Sequence, residues 1–110
     1  MENPFKYVAS LSSEIEIPKD GITSRALYND AATRVVIFGF DQGQELSEHT
    51  ASMPAIVHIL SGEATLTLGD QPQEASAGSW AYMEANLSHS IVAKTPVIML
   101  LTMMKAAKGS

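Results

Sequence analysis

The chain contains no cysteine, which excludes a disulfide framework, a thiolate metal site and a cysteine nucleophile at once. Basic residues are few: seven Lys and Arg stand against twelve Asp and Glu, for a formal net charge of −5. No Lys or Arg cluster forms a patch that would neutralise phosphates, so nucleic acid is not an expected partner. Long apolar runs are also missing. The most apolar stretch, Pro96 to Met104, is about half the ~20 residues a helix needs to cross a bilayer. Lys105 closes it, so it reads as a buried strand and no membrane partner is expected. The opening, MENPFKYVASLSSEIEIPKD, lacks the basic segment and apolar run of a secretory signal, which makes a cytoplasmic location the expectation. No window sustains a helical period over three turns; Ala26–Ala32 and Met104–Ser110 come nearest, and both are short.

What is present is ordinary for a folded domain. The 110 residues are 45% hydrophobic and 17% charged, enough for one core and too few for two, so residues 1–110 are read as a single domain. Runs rich in β-branched and aromatic residues recur every eight to twelve positions, as in a sandwich or barrel. The expected strands are Ser24–Tyr28, Thr33–Phe40, Glu48–Ala51, Ala55–Leu60, Glu63–Leu68, Gln73–Ala75, Trp80–Met83, Ser88–Ala93 and Val97–Met103. Turn chemistry separates them: Asn29-Asp30 tolerates left-handed angles, Ser61-Gly62 suits a hairpin, and Gly69-Asp70 with Pro72 breaks a strand. The chain is therefore read as all-β. In Glu63–Leu68, Ala64, Leu66 and Leu68 alternate with Glu63, Thr65 and Thr67, which gives one buried and one wet face. Ala55–Leu60 and Val97–Met103 are apolar on both faces apart from His58 and Thr102. Such strands need cover on both sides, and a homodimer is the expected source of it.

Two glycine-flanked segments carry the candidate chemistry: GQELSEHTASMPAIVHILSG from Gly43 to Gly62 and GSWAYMEANLSHSIVA from Gly78 to Ala93. Together they resemble the two motifs of the cupin superfamily, over roughly Thr33 to Met103. The first motif has a glycine, five residues, a histidine, one residue, a second histidine, three or four residues, a glutamate, six residues and a glycine. Gly43, His49 and Gly62 match it, whereas Ala51 holds the second histidine position and Ala55 the glutamate position. In the second motif Gly78 and His89 match, with Glu84 at the proline position, Asn86 at the glycine and Ala93 at the asparagine. SEHTA and the ending VIMLLTMMK resemble a subgroup of single-domain cupins in which the second histidine and the glutamate are often absent.

The resemblance implies an antiparallel jelly-roll barrel with core at about 33–103 and an arm at about 5–17 that exchanges in a dimer. Of four family metal ligands it leaves His49 and His89. A catalytic zinc site normally has three protein ligands, and a non-haem iron site two histidines and a carboxylate. Two imidazoles alone hold a divalent metal weakly, so the remnant is read first as metal-free. The pocket is then expected to be lined by His49, Ala51, Ala55, Val57, Ile59, Met83 and His89. Loss of two polar ligands makes it larger and more apolar, suited to a small, partly hydrophobic molecule.

The alternative is a metal-dependent enzyme, of oxygenase or isomerase class by resemblance. It would use a divalent transition metal on His49 and His89 with a third ligand such as Glu84 or water. A third reading makes either histidine a general base. His58 is excluded as a ligand by strand geometry, because it lies three residues after Ala55 and residues an odd number apart face opposite sides. Trp80 and Tyr82 share a face and suit either ring stacking or subunit packing.

Overall fold

The computed structural model describes residues 4–105. Within them the chain forms one 3-10 turn, Leu11–Glu14, and nine strands: β1 Ile22–Asn29, β2 Thr33–Phe40, β3 Glu45–His49, β4 Ala55–Ser61, β5 Glu63–Leu68, β6 Gln71–Ser76, β7 Trp80–Met83, β8 His89–Ala93 and β9 Val97–Met104. All nine expected strands are present. Several boundaries moved by one to three residues: the third strand runs from Glu45 to His49 instead of Glu48 to Ala51, β1 begins at Ile22 instead of Ser24, and β6 begins at Gln71 instead of Gln73, so Pro72 lies inside β6. That strand is at a sheet edge, where a missing backbone donor is tolerated. Of the two nearest helical candidates, Ala26–Ala32 is the end of β1 and the turn into β2, and Met104–Ser110 lies outside the described residues beyond Lys105.

A five-stranded sheet ordered β1-β2-β9-β4-β7 faces a four-stranded sheet ordered β3-β8-β5-β6, with every pairing antiparallel. Among the described residues no ladder closes the two sheets into a continuous cylinder, so the jelly roll is an open sandwich. Its inner faces meet in one core. Phe40, Ile59, Ala64 and Val97 are wholly excluded from solvent there. The alternation on β5 holds, with Ala64 and Leu66 buried and Glu63 exposed.

Ile37 is also fully buried, although it follows Val36 on β2 and precedes the inward Phe38. Its cover comes from the chain itself. A Cβ placed on Gly39 would lie 3.2 Å from Ile17 Cγ1 and 3.7 Å from Ile15 Cγ1, so Ile15 and Ile17 lie on the outer face of β2 where glycine permits close approach. Arg25 of β1 fastens this segment by donating to the Glu14 carbonyl at 3.1 Å. The second half of the expected arm thus docks on its own sheet.

The β4–β5 hairpin turns at Gly62, which has a φ of +89° and whose absent Cβ would fall 2.1 Å from the Pro96 carbonyl oxygen. Only glycine satisfies both conditions. No helix among the described residues is long and apolar enough to cross a membrane.

Candidate functional site

His89 is the first residue of β8, two before the buried Ile91, and regular alternation carries both side chains inward. His49 needs an irregularity. Leu46 pairs with Ile91 and His49 with His89, so Ser47 and Glu48 together oppose Ser90. This β-bulge absorbs the extra residue and returns His49 to the side that Leu46 occupies; a regular strand would have pointed it away. Glu48 instead turns outward and accepts a hydrogen bond from the Ser88 hydroxyl.

The two imidazoles meet edge to face, their ring centroids 4.2 Å apart and planes inclined at 62°. Each is anchored to the carbonyl two residues before it: His49 Nδ1 lies 2.8 Å from the Ser47 oxygen and His89 Nδ1 2.9 Å from the Leu87 oxygen. A carbonyl only accepts, so each Nδ1 carries the proton, and in the neutral ring the lone pair resides on Nε2. The loop that offers the Leu87 carbonyl is shaped by Asn86, which adopts a φ of +71°. Its amide bonds the Ala51 carbonyl at 2.7 Å. Asparagine tolerates this left-handed backbone at the position where the motif has glycine.

Both histidines border a cavity of about 140 Å3 together with Ala51, Ala55, Met83 and Glu84. Its remaining wall is Met53, Leu87, Leu101 and Met103. A narrower recess of about 60 Å3 lies beneath and brings in Val57, Phe38, Leu46 and Leu66 beside the same histidines. Of the residues expected to form the pocket, His49, Ala51, Ala55, Met83 and His89 share the outer cavity and Val57 the inner one. Ile59 lies apart, on the wall of an open groove between β6 and β7 that Trp80 and Tyr82 also line. Apart from the histidines, Glu84 is the one titratable residue on the outer wall.

His58 borders neither histidine cavity. It pairs with Trp80 on one side and Leu100 on the other, on the face opposite the buried Val57 and Ile59. The register of β4 is regular from Ala55 to Ile59 and shifts only beyond it.

Sequence reasoning missed Leu101 and Met103. They pair with Val57 and Ala55 across β9, so alternation would have found them had the β4–β9 pairing been known. Met53 and Leu87 stand in loops, where no periodicity marks them.

Two facing antiparallel sheets with paired histidines at one end agree with the family match, since residues 36–103 fit the cupin domain. The chain belongs to the cupin family. It is similar to a conserved protein of unknown function, SPY1581, from Streptococcus pyogenes: 30% identity, TM-score 0.82, covering 96% of this chain and 90% of that one. It is likewise similar to a cupin superfamily protein from Desulfitobacterium hafniense, at 27% identity and TM-score 0.81, covering 94% of this chain and 92% of that one. The likeness to KdgF from Halomonas sp., 17% identical with TM-score 0.77 over 89% of this chain and 93% of that one, is one of fold alone. Among curated proteins none matches.

Membership raises the question of the family's divalent metal. The site fits it poorly. Ala51 and Ala55 bring no donor, and among the described residues no three His, Cys, Asp or Glu side chains come together as a metal-holding group.

Proposed function

We propose that this cupin is a small-molecule-binding module. Its ligand is a small, largely apolar molecule that brings its own hydroxyl donors to the Nε2 lone pairs of His49 and His89. The observation that carries this reading is the pair of backbone anchors, which turns two neighbouring imidazoles into two acceptors at one cavity. The rest of the wall supports it. Alanine, leucine and methionine dominate, no Lys or Arg is present, and Glu84 is the single fixed charge. An anion therefore gains nothing there, whereas a neutral hydroxyl compound satisfies both nitrogens. Size agrees as well: a cavity of about 150 Å3 in another protein accommodates benzene, close to the 140 Å3 here.

A ligand-observed NMR screen of small phenols and diols, with matched carboxylates, tests the reading. Neutral hydroxyl compounds are expected to bind the wild-type protein and to lose at least roughly tenfold in affinity in His49→Ala and in His89→Ala, the scale of one or two hydrogen bonds. His58→Ala should bind like wild type. Preference for the carboxylates, or equal loss in His58→Ala, would reject it.

A further inference from the structure

Of the six methionines in the chain, Met53, Met83 and Met103 stand on the wall of the cavity that His49 and His89 border. Met83 of β7 and Met103 of β9 are the cross-strand neighbours of Ala55, one on each side. Both thioethers therefore adjoin the position where the motif has a glutamate and this chain has only a methyl group. Access divides the three. Met83 is 2% exposed, whereas Met53 and Met103 are half-buried. Met99, in the recess beneath, is also buried.

We propose that Met53 and Met103 are modification sites at which a hydroperoxide converts the apolar wall of this cavity into a polar one. The proposal deepens the hydroxyl-ligand reading of the same cavity and rests on it for the consequence to binding. In the step, the thioether sulfur gives an electron pair to one peroxide oxygen, and an S–O bond forms as the O–O bond breaks. The proton of the transferred oxygen passes to the departing oxygen, so sulfur is oxidised to the sulfoxide and hydrogen peroxide is reduced to water. A flexible apolar side chain thereby becomes a polar one. The wall has no side-chain donor to receive the new oxygen: carbonyls take the Nδ1 protons of His49 and His89, and the Glu84 carboxylate only accepts. An oxygen without a donor must stay hydrated. At Met53 and Met103 it draws water into the space that the apolar part of a ligand fills. Enzymatic reduction of methionine sulfoxide makes the change reversible.

Treatment of the full chain with hydrogen peroxide at neutral pH, followed by peptide mass spectrometry, tests this. Met53 and Met103 should each gain one oxygen while Met83 and Met99 remain thioethers. Binding of the neutral hydroxyl compounds should then fall roughly tenfold, the scale of one unpaired polar group, and return after treatment with methionine sulfoxide reductases. The double variant Met53→Leu, Met103→Leu keeps the volume and apolar character of the wall. It should bind as untreated wild type does and be indifferent to peroxide. Met104→Leu, on the opposite face of β9, should lose binding on treatment just as wild type does. A readout without ligand separates the two readings: oxidation should move the Nε2 resonances of His49 and His89 in the wild type and leave them in place in the double variant. If untreated protein binds none of the compounds while these shifts appear, the ligand reading fails and the modification sites stand. Unmoved ring resonances or undiminished binding once both methionines are converted, an equal effect in the double variant, or Met83 and Met99 oxidising as fast as Met53 and Met103 would overturn the proposal.

Discussion

Single residues set the limits of this fold more sharply than their chemistry suggests. Gly62 is the clearest case. Its left-handed backbone and the 2.1 Å approach of the Pro96 carbonyl mean that Gly62→Ala adds a conformational cost and a clash with main chain that has no rotamer to relieve it. The expected loss is ~2 kcal/mol or more, read as a lower urea midpoint; a midpoint within experimental error of wild type would contradict it. Two aspartates act through the backbone in a different way. Asp41 accepts from the amides of Asp20 and Gln42, and Asp30 from the Tyr28 hydroxyl and the amides of Ala32 and Thr33. These bonds hold both carboxyls below their ordinary value, the Asp20 amide contributing most at Asp41 and the Tyr28 hydroxyl most at Asp30. A folded value below the unfolded one means that the unfolded chain takes up protons first. The stability from these carboxylates is present above about pH 3.9 and is lost as pH falls through the lower folded values. Asp41→Asn should accordingly flatten the acid limb of a stability–pH curve. An unchanged slope between roughly pH 5 and pH 2 would show that the Asp41 bonds are not maintained in solution.

At the scale of elements, the strand holding the first histidine shows where sequence reading ends. The family spacing identified His49 and His89 as partners, and strand alternation assigned His58 to the outer face. Applied to β3, the same alternation would have placed Glu48 on the side of Leu46 and His49 opposite. ELSEH contains no glycine or proline to announce the bulge, so the irregularity that completes the site was not legible. It follows from pairing with β8, where Ile91 and His89 dictate a register that β3 meets only with one residue to spare. A transplanted histidine tests the bulge. In Glu48→His with His49→Ala, a regular strand would bring the new imidazole inward and restore binding of the hydroxyl compounds. The bulge instead sends position 48 toward Ser88, so the double variant should bind no better than His49→Ala. The pocket wall divides similarly. Ala51, Ala55 and Met83 could be placed from motif and alternation, whereas Leu101 and Met103 depend on a strand pairing distant in sequence.

For the whole molecule, apolar strands raised the question of what covers their second face. On β2 the answer is internal, since Ile15 and Ile17 lie against it. The outer face of β4, β7 and β9 is different. Those three strands contain no Asp, Glu, Lys or Arg, yet Trp80 is 62% and Tyr82 50% exposed there. In a chain of net charge −5 this uncharged face would bring two copies together with the least repulsion, and exposed aromatics suit the core of such a contact. A homodimer through it is the expected assembly. Sedimentation should give two chains at micromolar concentration, and Trp80→Glu with Tyr82→Glu should give one. A wild-type monomer, or a dimer indifferent to both substitutions, would contradict it. The overall architecture was legible because nine short apolar runs and their turn residues carry it locally. The strand pattern does not separate the two kinds of cover, because an arm and a partner leave the same pattern there.

The functional account depends on one feature, the two Nε2 lone pairs that the backbone anchors leave open at a shared cavity. Long-range proton–nitrogen correlation NMR on uniformly 15N-labelled protein at neutral pH reads the histidine tautomers directly. His49 and His89 should both show a protonated Nδ1 and an unprotonated Nε2. Addition of a bound hydroxyl compound should shift those two Nε2 resonances and leave the ring of His58 unmoved. Nε2-protonated tautomers at His49 and His89, or a ligand shift confined to His58, would contradict the account at its centre.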